Sequence, residues 1–316
     1  MSIDRVATGI QTAQFLRQIQ QASSALDKTQ TSIASGVNAD TYAGFGGQAQ
    51  ILTATISATQ RNAACQTATT LAQTQVDLQD DQLSSLADIA QKLRTTVNDA
   101  LGNNDASSMM TQVQSLFEQA VSVLNGKDAN GDYIYSGGRT DTPPLTVSTL
   151  SGLVALPAVS QAFANGDFKK SVQVADGVNV TYGLTASDIG TQLMQSFKDI
   201  ASFDAGPSGN FAAGAGLSQA QDTFLTSTVS NAAQVASGLN DIGATNGYIS
   251  NRLTDAAAQQ KTMDTLYSGF ADKIQGTDMA KAATELSMNQ TQLQAALAVT
   301  STLNRISLLN YLPVSG

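Results

Sequence analysis

Apolar residues recur every three or four positions at the start of the chain: Ile3, Val6, Ile10, Ala13, Leu16, Ile19, Ala22, Leu26, Thr29 and Ile33. That spacing predicts one long helix with a single stripe near heptad period. The segment "SGVNADTYAGFGG" (35–47), with four glycines, should end it. A second helix is expected from about Gln48, carrying the strongest stripe in the chain at Leu83, Leu86, Ala90, Leu93, Val97 and Ala100. The run "GNNDASS" (102–108) should stop it, leaving Asn104 or Asp105 to cap the next helix. That helix presents Val113, Leu116, Phe117, Ala120, Val121 and Leu124.

From 125 to 216 the texture changes, and four of the five prolines fall there. In "KSVQVADGVNVTYGL" the period becomes two, with Val172 and Val174 before Asp176-Gly177 and Val178 and Val180 after it. This predicts a hairpin with a two-residue turn. A short helix is expected within 185–203, capped by Ser187 or Asp188. Helical period then returns from Leu217, with Ile242, Asn246, Ile249, Leu253, Ala256, Gln260, Met263, Tyr267, Phe270 and Ile274 on one stripe. "QGTDM" (275–279) interrupts, and Thr277 or Asp278 should cap a last helix carrying Ala282, Leu286, Leu293, Leu297 and Leu303. The final apolar residues crowd together as Ile306, Leu308, Leu309, Tyr311 and Leu312.

The predicted fold is mainly α. N- and C-terminal arms form a long antiparallel coiled-coil bundle, with a small mixed, β-rich insert in the middle. Neither stripe is wide enough to sustain a free helix, so each end should pack on the other. The expected segments are an N-terminal arm (1–44), the first half of a helical rod (45–140), a variable outer insert (141–216), the second half of the rod (217–276) and a C-terminal arm (277–316).

Composition then narrows the chemistry. Of 316 residues only 13% are charged, and Gln, Asn, Ser, Thr and Ala take their place. Low charge suits helices packed side by side with little repulsion. A net charge of -9 argues against a nucleic-acid partner, which needs Lys and Arg against its phosphates. No histidine is present, which removes the commonest general base and metal ligand. The single cysteine, Cys65, sits in an alanine-rich helical stretch and is expected to be a packed thiol. Asp80 and Asp81 are neighbours on a helix and point about 100° apart, so they do not converge on a substrate. "KDANGDYIYSGG" (127–138) suggests a calcium loop, but the sixth and twelfth positions counted from Asp128 are Tyr133 and Arg139. An EF-hand needs Gly and Glu there, so a turn is expected instead. "AGFGGQAQ" (43–50) lacks the Lys-Ser/Thr of a phosphate loop. No catalytic, cofactor-binding or metal-binding residue is expected. No apolar run is long enough for a transmembrane span, and no secretory signal peptide is visible.

Four stretches resemble the bacterial flagellin family, and most closely its hook–filament junction members. "LDKTQTSIASGVN" (26–38) is similar to the family's N-terminal helix closing on a Ser-Gly turn, here Ser35-Gly36. Val37 and Asn38 stand where the family usually has Arg or Lys. "DYIYSGGRTDTPPL" (132–145) resembles the Tyr-x-Tyr-Ser-Gly stretch of junction proteins, with Tyr133, Tyr135, Ser136 and Gly137. "GLNDIGATNGYISNRL" (238–253) is similar to the family's Gly-x-x-x-x-Arg-Leu helix, and 277–312 resembles its C-terminal helix almost throughout.

The resemblance implies a non-catalytic structural subunit of the flagellum. It would join hook to filament in a helically arranged ring of copies; the alternative is the filament subunit itself. It implies an assembly interface of Ile3, Val6, Ile10, Leu16, Leu26, Leu286, Leu293, Leu297, Ile306, Leu308, Leu309 and Leu312. The implied partners are further copies, the adjacent junction protein, flagellin and a cytoplasmic export chaperone at the C-terminal helix, with no nucleic acid and no membrane insertion. Extracellular placement without a cleaved signal peptide is implied as well.

Overall fold

A computed structural model of the chain describes residues 3–39, 41–213 and 216–309, with side chains over 13–39, 41–212 and 216–302. Seven α-helices, one hairpin and three short 3-10 helices make up the regular structure of the described residues: α1 (Ile3–Ser35), α2 (Ala49–Asn103), α3 (Met109–Leu124), α4 (Leu150–Ala155), α5 (Ala186–Asp204), α6 (Gln219–Gln275), α7 (Met279–Leu309), β1 (Lys170–Ala175) and β2 (Val178–Tyr182), with 3-10 turns at Tyr42–Gln48, Val159–Ala162 and Phe211–Ala213. The chain divides into two compact units, one of 1–60 with 263–316 and the other of 61–262.

The 61–262 unit holds the main apolar core. The stripe at Leu83, Leu86, Ala90, Leu93, Val97 and Ala100 is wholly buried. It packs with Val113, Phe117 and Leu124 of α3, Leu193 and Phe197 of α5, and Leu225 and Leu239 of α6. Phe117 and Phe197 meet edge to face, with ring centroids 5.7 Å apart, a geometry that adds to their burial. Gly190 lets α5 approach α3, since a Cβ there would meet Leu124 Cδ1 at 2.8 Å.

The ends of the helices follow local chemistry, not always as the pattern suggests. Asn104 closes α2 in the left-handed region at φ 52°. Its N–H donates to Leu101 O, and Asp105 N–H to Ala100 O, which is a Schellman ending. Neither residue caps α3. Asp105 spends its carboxylate on Ser107 N–H at 2.8 Å, and Ser108 precedes the helix without a side-chain cap. At α5 the cap is Thr185, not Ser187 or Asp188. Thr185 accepts from Asp188 N–H while the Asp188 side chain accepts from Thr185 N–H, a capping box that satisfies two orphan donors. Asp278 does cap α7, accepting from Ala280 and Lys281 N–H at 3.0 and 3.1 Å.

β1 and β2 pair antiparallel around Asp176-Gly177, as the alternation predicts, with a register shift between Gln173 and Ala175. The hairpin is the whole sheet content of the described residues. The rest of the middle segment is turn, short helix and α5.

Candidate assembly site

In the unit of 1–60 with 263–316, α1 packs along α7. The run is antiparallel: Thr29 Oγ1 accepts from Asn289 Nδ2 at 3.1 Å, and nearer the helix junction Asn38 N–H donates to Gln275 O at 2.7 Å. Among the described side chains Thr29 is the buried member of the α1 stripe, and Ala282 of α7 is buried as well. Thr29 also donates its hydroxyl to Ala25 O at 2.9 Å, so the polar atom is satisfied inside the pair.

Two turns lock this pair at one end. Ser35-Gly36 closes α1 with Gly36 at φ 74°, and its N–H donates to Ser32 O at 2.9 Å. A side chain would resist that left-handed conformation. The opposing turn, Gln275–Thr277, receives the chain. Thr277 N–H donates to Gly36 O at 2.9 Å, Asn38 Nδ2 to Gly276 O at 2.7 Å, and Val37 bridges Gly276. Asn38, which departs from the family pattern, therefore makes two hydrogen bonds across the turns. Sequence reasoning places Asn38 and Gly276 at separate helix breaks but not opposite each other, because their pairing spans more than 200 residues of chain.

The candidate interface residues fall into three groups. Leu26, Leu286 and Leu293 are half-buried within the α1/α7 pair. Leu16 and Leu297 stay about half exposed, at 52% and 51%. Ile3, Val6, Ile10, Ile306, Leu308 and Leu309 have side chains outside the described residues, and Leu312 lies outside them altogether. Met279, Met288 and Val299 add exposed apolar surface on α7. Leu297 and Val299 lie two positions apart and so face roughly 200° from each other on a helix. A single partner helix covers one face, so apolar residues on opposite faces leave surface for a further partner.

The Tyr133–Gly137 motif does something different. Tyr135 is fully buried and its carbonyl accepts from Ala186 N–H at 3.0 Å, tying the motif to the start of α5. Burial pushes its phenol well above the usual 10.0, and its hydroxyl has no hydrogen-bond partner. Ser136 donates its hydroxyl to Tyr133 O at 2.9 Å, and its carbonyl accepts from Gly166 N–H at 2.8 Å. Gly137 has φ 60° and touches Gly166 so closely that a Cβ would sit 1.8 Å from Gly166 O. The motif is thus a backbone clasp inside the 61–262 unit. Tyr135 and Ser136 are buried within it.

The remaining candidates for chemistry are engaged structurally. Asp128 Oδ1 accepts from Asn130 and Asp132 N–H at 2.8 and 3.1 Å, so it organises its own turn. Lys127 lies over the Tyr133 ring at 4.5 Å. Cys65 is half-buried on α2. Among the described residues no group of three metal-ligating side chains comes together, and no helix is long and apolar enough to cross a membrane.

Comparison with known proteins agrees with this architecture. Residues 229–312 match the family model of the bacterial flagellin C-terminal helical region. The flagellar hook-associated protein 3 of Escherichia coli is 31% identical over 83 residues, 25% of this chain and 26% of that protein. Its counterpart of the same name from Salmonella typhimurium is 29% identical over 86 residues, 26% and 27% of the two chains. The chain thus spans about a quarter of the length of the curated relatives it matches. Among solved structures, a protein from Vibrio parahaemolyticus described as flagellar hook-associated superposes with TM-score 0.60 at 17% identity, over 72% of this chain and 97% of its own. Crystalline FlgL of Xanthomonas campestris gives 0.53 at 11% identity, over 69% and 98%. At such identities the structures show a common fold. The flagellin-family likeness carried by the residues, and the helical bundle it implies, are both borne out.

Proposed function

We propose that this chain is a non-catalytic structural subunit of the bacterial flagellum, joining hook to filament as a ring of identical copies. The observation that carries this reading is the α1/α7 pair, which holds one shared face together and leaves Leu16, Met279, Met288, Leu297 and Val299 exposed. Charged residues are only 13% of the chain, so little repulsion opposes bringing copies together. The names of the curated relatives favour the junction over the filament subunit.

In this reading the helices at both ends complete their order as they bury Ile3, Val6, Ile10, Leu293, Leu297 and their neighbours against adjacent copies. The partners are the neighbouring junction protein on one side and flagellin on the other. A cytoplasmic chaperone holds the C-terminal helix before export, and the protein ends outside the cell. The arms (1–44 and 277–316), the two rod halves (45–140 and 217–276) and the insert (141–216) divide the work between assembly and the outer surface.

Deleting the gene and examining cells by electron microscopy tests the reading. Intact hooks without filaments, with flagellin shed into the medium, is the expected outcome. Filaments of normal length on the deletion strain overturn it. Quantifying the protein in sheared flagella separates the junction subunit, present in few copies, from a filament subunit.

A further inference from the structure

The stretch of α2 and α6 around residues 62–76 and 246–260 is an unusual helix seam. Apart from Val76 and Leu253, its facing positions are small or polar: Asn62, Thr69 and Ala72 on α2, and Asn246, Ala256 and Gln260 on α6. Asn246 is buried and donates Nδ2 to Val76 O at 2.9 Å, and Gln73 donates Nε2 to Ser250 Oγ at 2.6 Å. The two helices bury only Ala72, Val76 and Leu253 in the apolar cluster at this seam. The β1–β2 hairpin supplies the other half, placing Val172, Val174 and Val180 on them.

A two-stranded hairpin alone is marginal in water, so the way it is fastened matters. Val172 pairs with Val180, Gln173 with Asn179 and Ala175 with Val178, which leaves Val174 without a strand partner. A bulge of this kind frees a backbone group from the ladder. Gln260 takes that group. Its Nε2 donates to Val174 O at 2.7 Å and to Thr69 Oγ1 at 2.9 Å, while its backbone carbonyl accepts from Asn62 Nδ2 at 2.8 Å. Gln260 is only 4% exposed. One amide therefore joins α6, α2 and the hairpin, and both of its hydrogens are used. The other polar ties of the hairpin region, Lys170 to Gln75 and Lys169 to Asp188, lie at the surface, where such pairs hold little.

We propose that the β1–β2 hairpin is a strap across the α2/α6 seam, fastened by the Gln260 amide through the bulge at Val174, and that it opens as a unit while the surrounding core stays folded. The proposal does not depend on the assembly reading.

Hydrogen exchange on the full chain tests it, with tryptic cleavage after Lys169 and Lys170 as a second readout. In the unmodified protein, amides of 170–182 exchange faster than those of α5. Gln260→Met keeps length and shape, removes both donors and leaves the buried Val174 carbonyl unpaired. It should speed hairpin exchange and tryptic cleavage roughly tenfold to a hundredfold, with α3 and α5 amides unchanged. Thr69→Val removes one acceptor only and should act in the same direction by roughly tenfold or less, which keeps the test open if Gln260→Met does not fold. Two results overturn the proposal: hairpin rates unchanged in the variants, or hairpin and α5 amides accelerating together, which would make the hairpin part of the core.

Discussion

Replacing Gly137 by alanine isolates the physical reason for a glycine in the Tyr133–Gly137 motif. Two costs add. The residue sits at φ 60°, where an L side chain costs about 1–2 kcal/mol. The new Cβ would also lie 1.8 Å from Gly166 O and 2.4 Å from Gly166 C, backbone atoms that cannot rotate away. The two segments must separate, which disrupts Gly166 N–H to Ser136 O at 2.8 Å and Phe168 N–H to Gly137 O at 3.3 Å, each worth about 1 kcal/mol net. The sum is about 3–4 kcal/mol. Gly131 is the control in the same unit: φ 86°, with nothing within 4 Å of its added Cβ, so only the first cost of about 1–2 kcal/mol applies. Urea unfolding followed by circular dichroism measures both, and for a unit of this size each kcal/mol also moves Tm by roughly 2–4 °C. If the two variants lose the same stability within about 0.5 kcal/mol, the Gly137–Gly166 contact is not what requires glycine there.

Further outcomes follow from other contacts. Because burial raises the Tyr135 phenol above its unfolded value of 10.0, the folded chain keeps a proton that the unfolded chain releases. Stability is therefore unaffected well below pH 10.0 and falls as pH climbs beyond it. Tyr135→Phe should flatten that alkaline limb in pH-dependent melts; since the hydroxyl is buried without a partner, it should cost nothing near neutrality, and an unchanged alkaline limb would contradict this. Thr185→Ala removes the capping box of α5 and should cost about 1 kcal/mol in urea melts; no loss would mean the cap is idle. Leu297→Asp, on the exposed face of α7, should leave the monomer's helicity intact and weaken self-association in sedimentation; association as tight as the unmodified protein's would exclude that face from assembly.

Much of this molecule is legible in its sequence because its elements are long and its stripes are regular. The stripe from Leu83 to Ala100 is buried throughout, the hairpin turns at Asp176-Gly177, and Asp278 caps α7. These outcomes are local: side-chain period, turn chemistry and a carboxylate beside free amides act within a few residues. Capping fails as a guide where two polar residues compete. Asp105 satisfies its own turn, and Thr185 takes the α5 cap with Asp188 as its reciprocal partner. Asn246 and Gln260 belong to the α6 stripe by spacing, yet period alone does not show that they are there to hydrogen-bond Val76 O and Val174 O.

The sequence by itself determines helical arms with apolar stripes, a break at Ser35-Gly36, a hairpin between the helical halves and the absence of histidine chemistry. Only the tertiary structure decides which distant turns meet: Asn38 with Gly276, Gly137 with Gly166, Gln260 with Val174. The reason is that periodicity is a property of one element, while a backbone carbonyl left free by a bulge or a turn has no signature until another segment arrives to satisfy it.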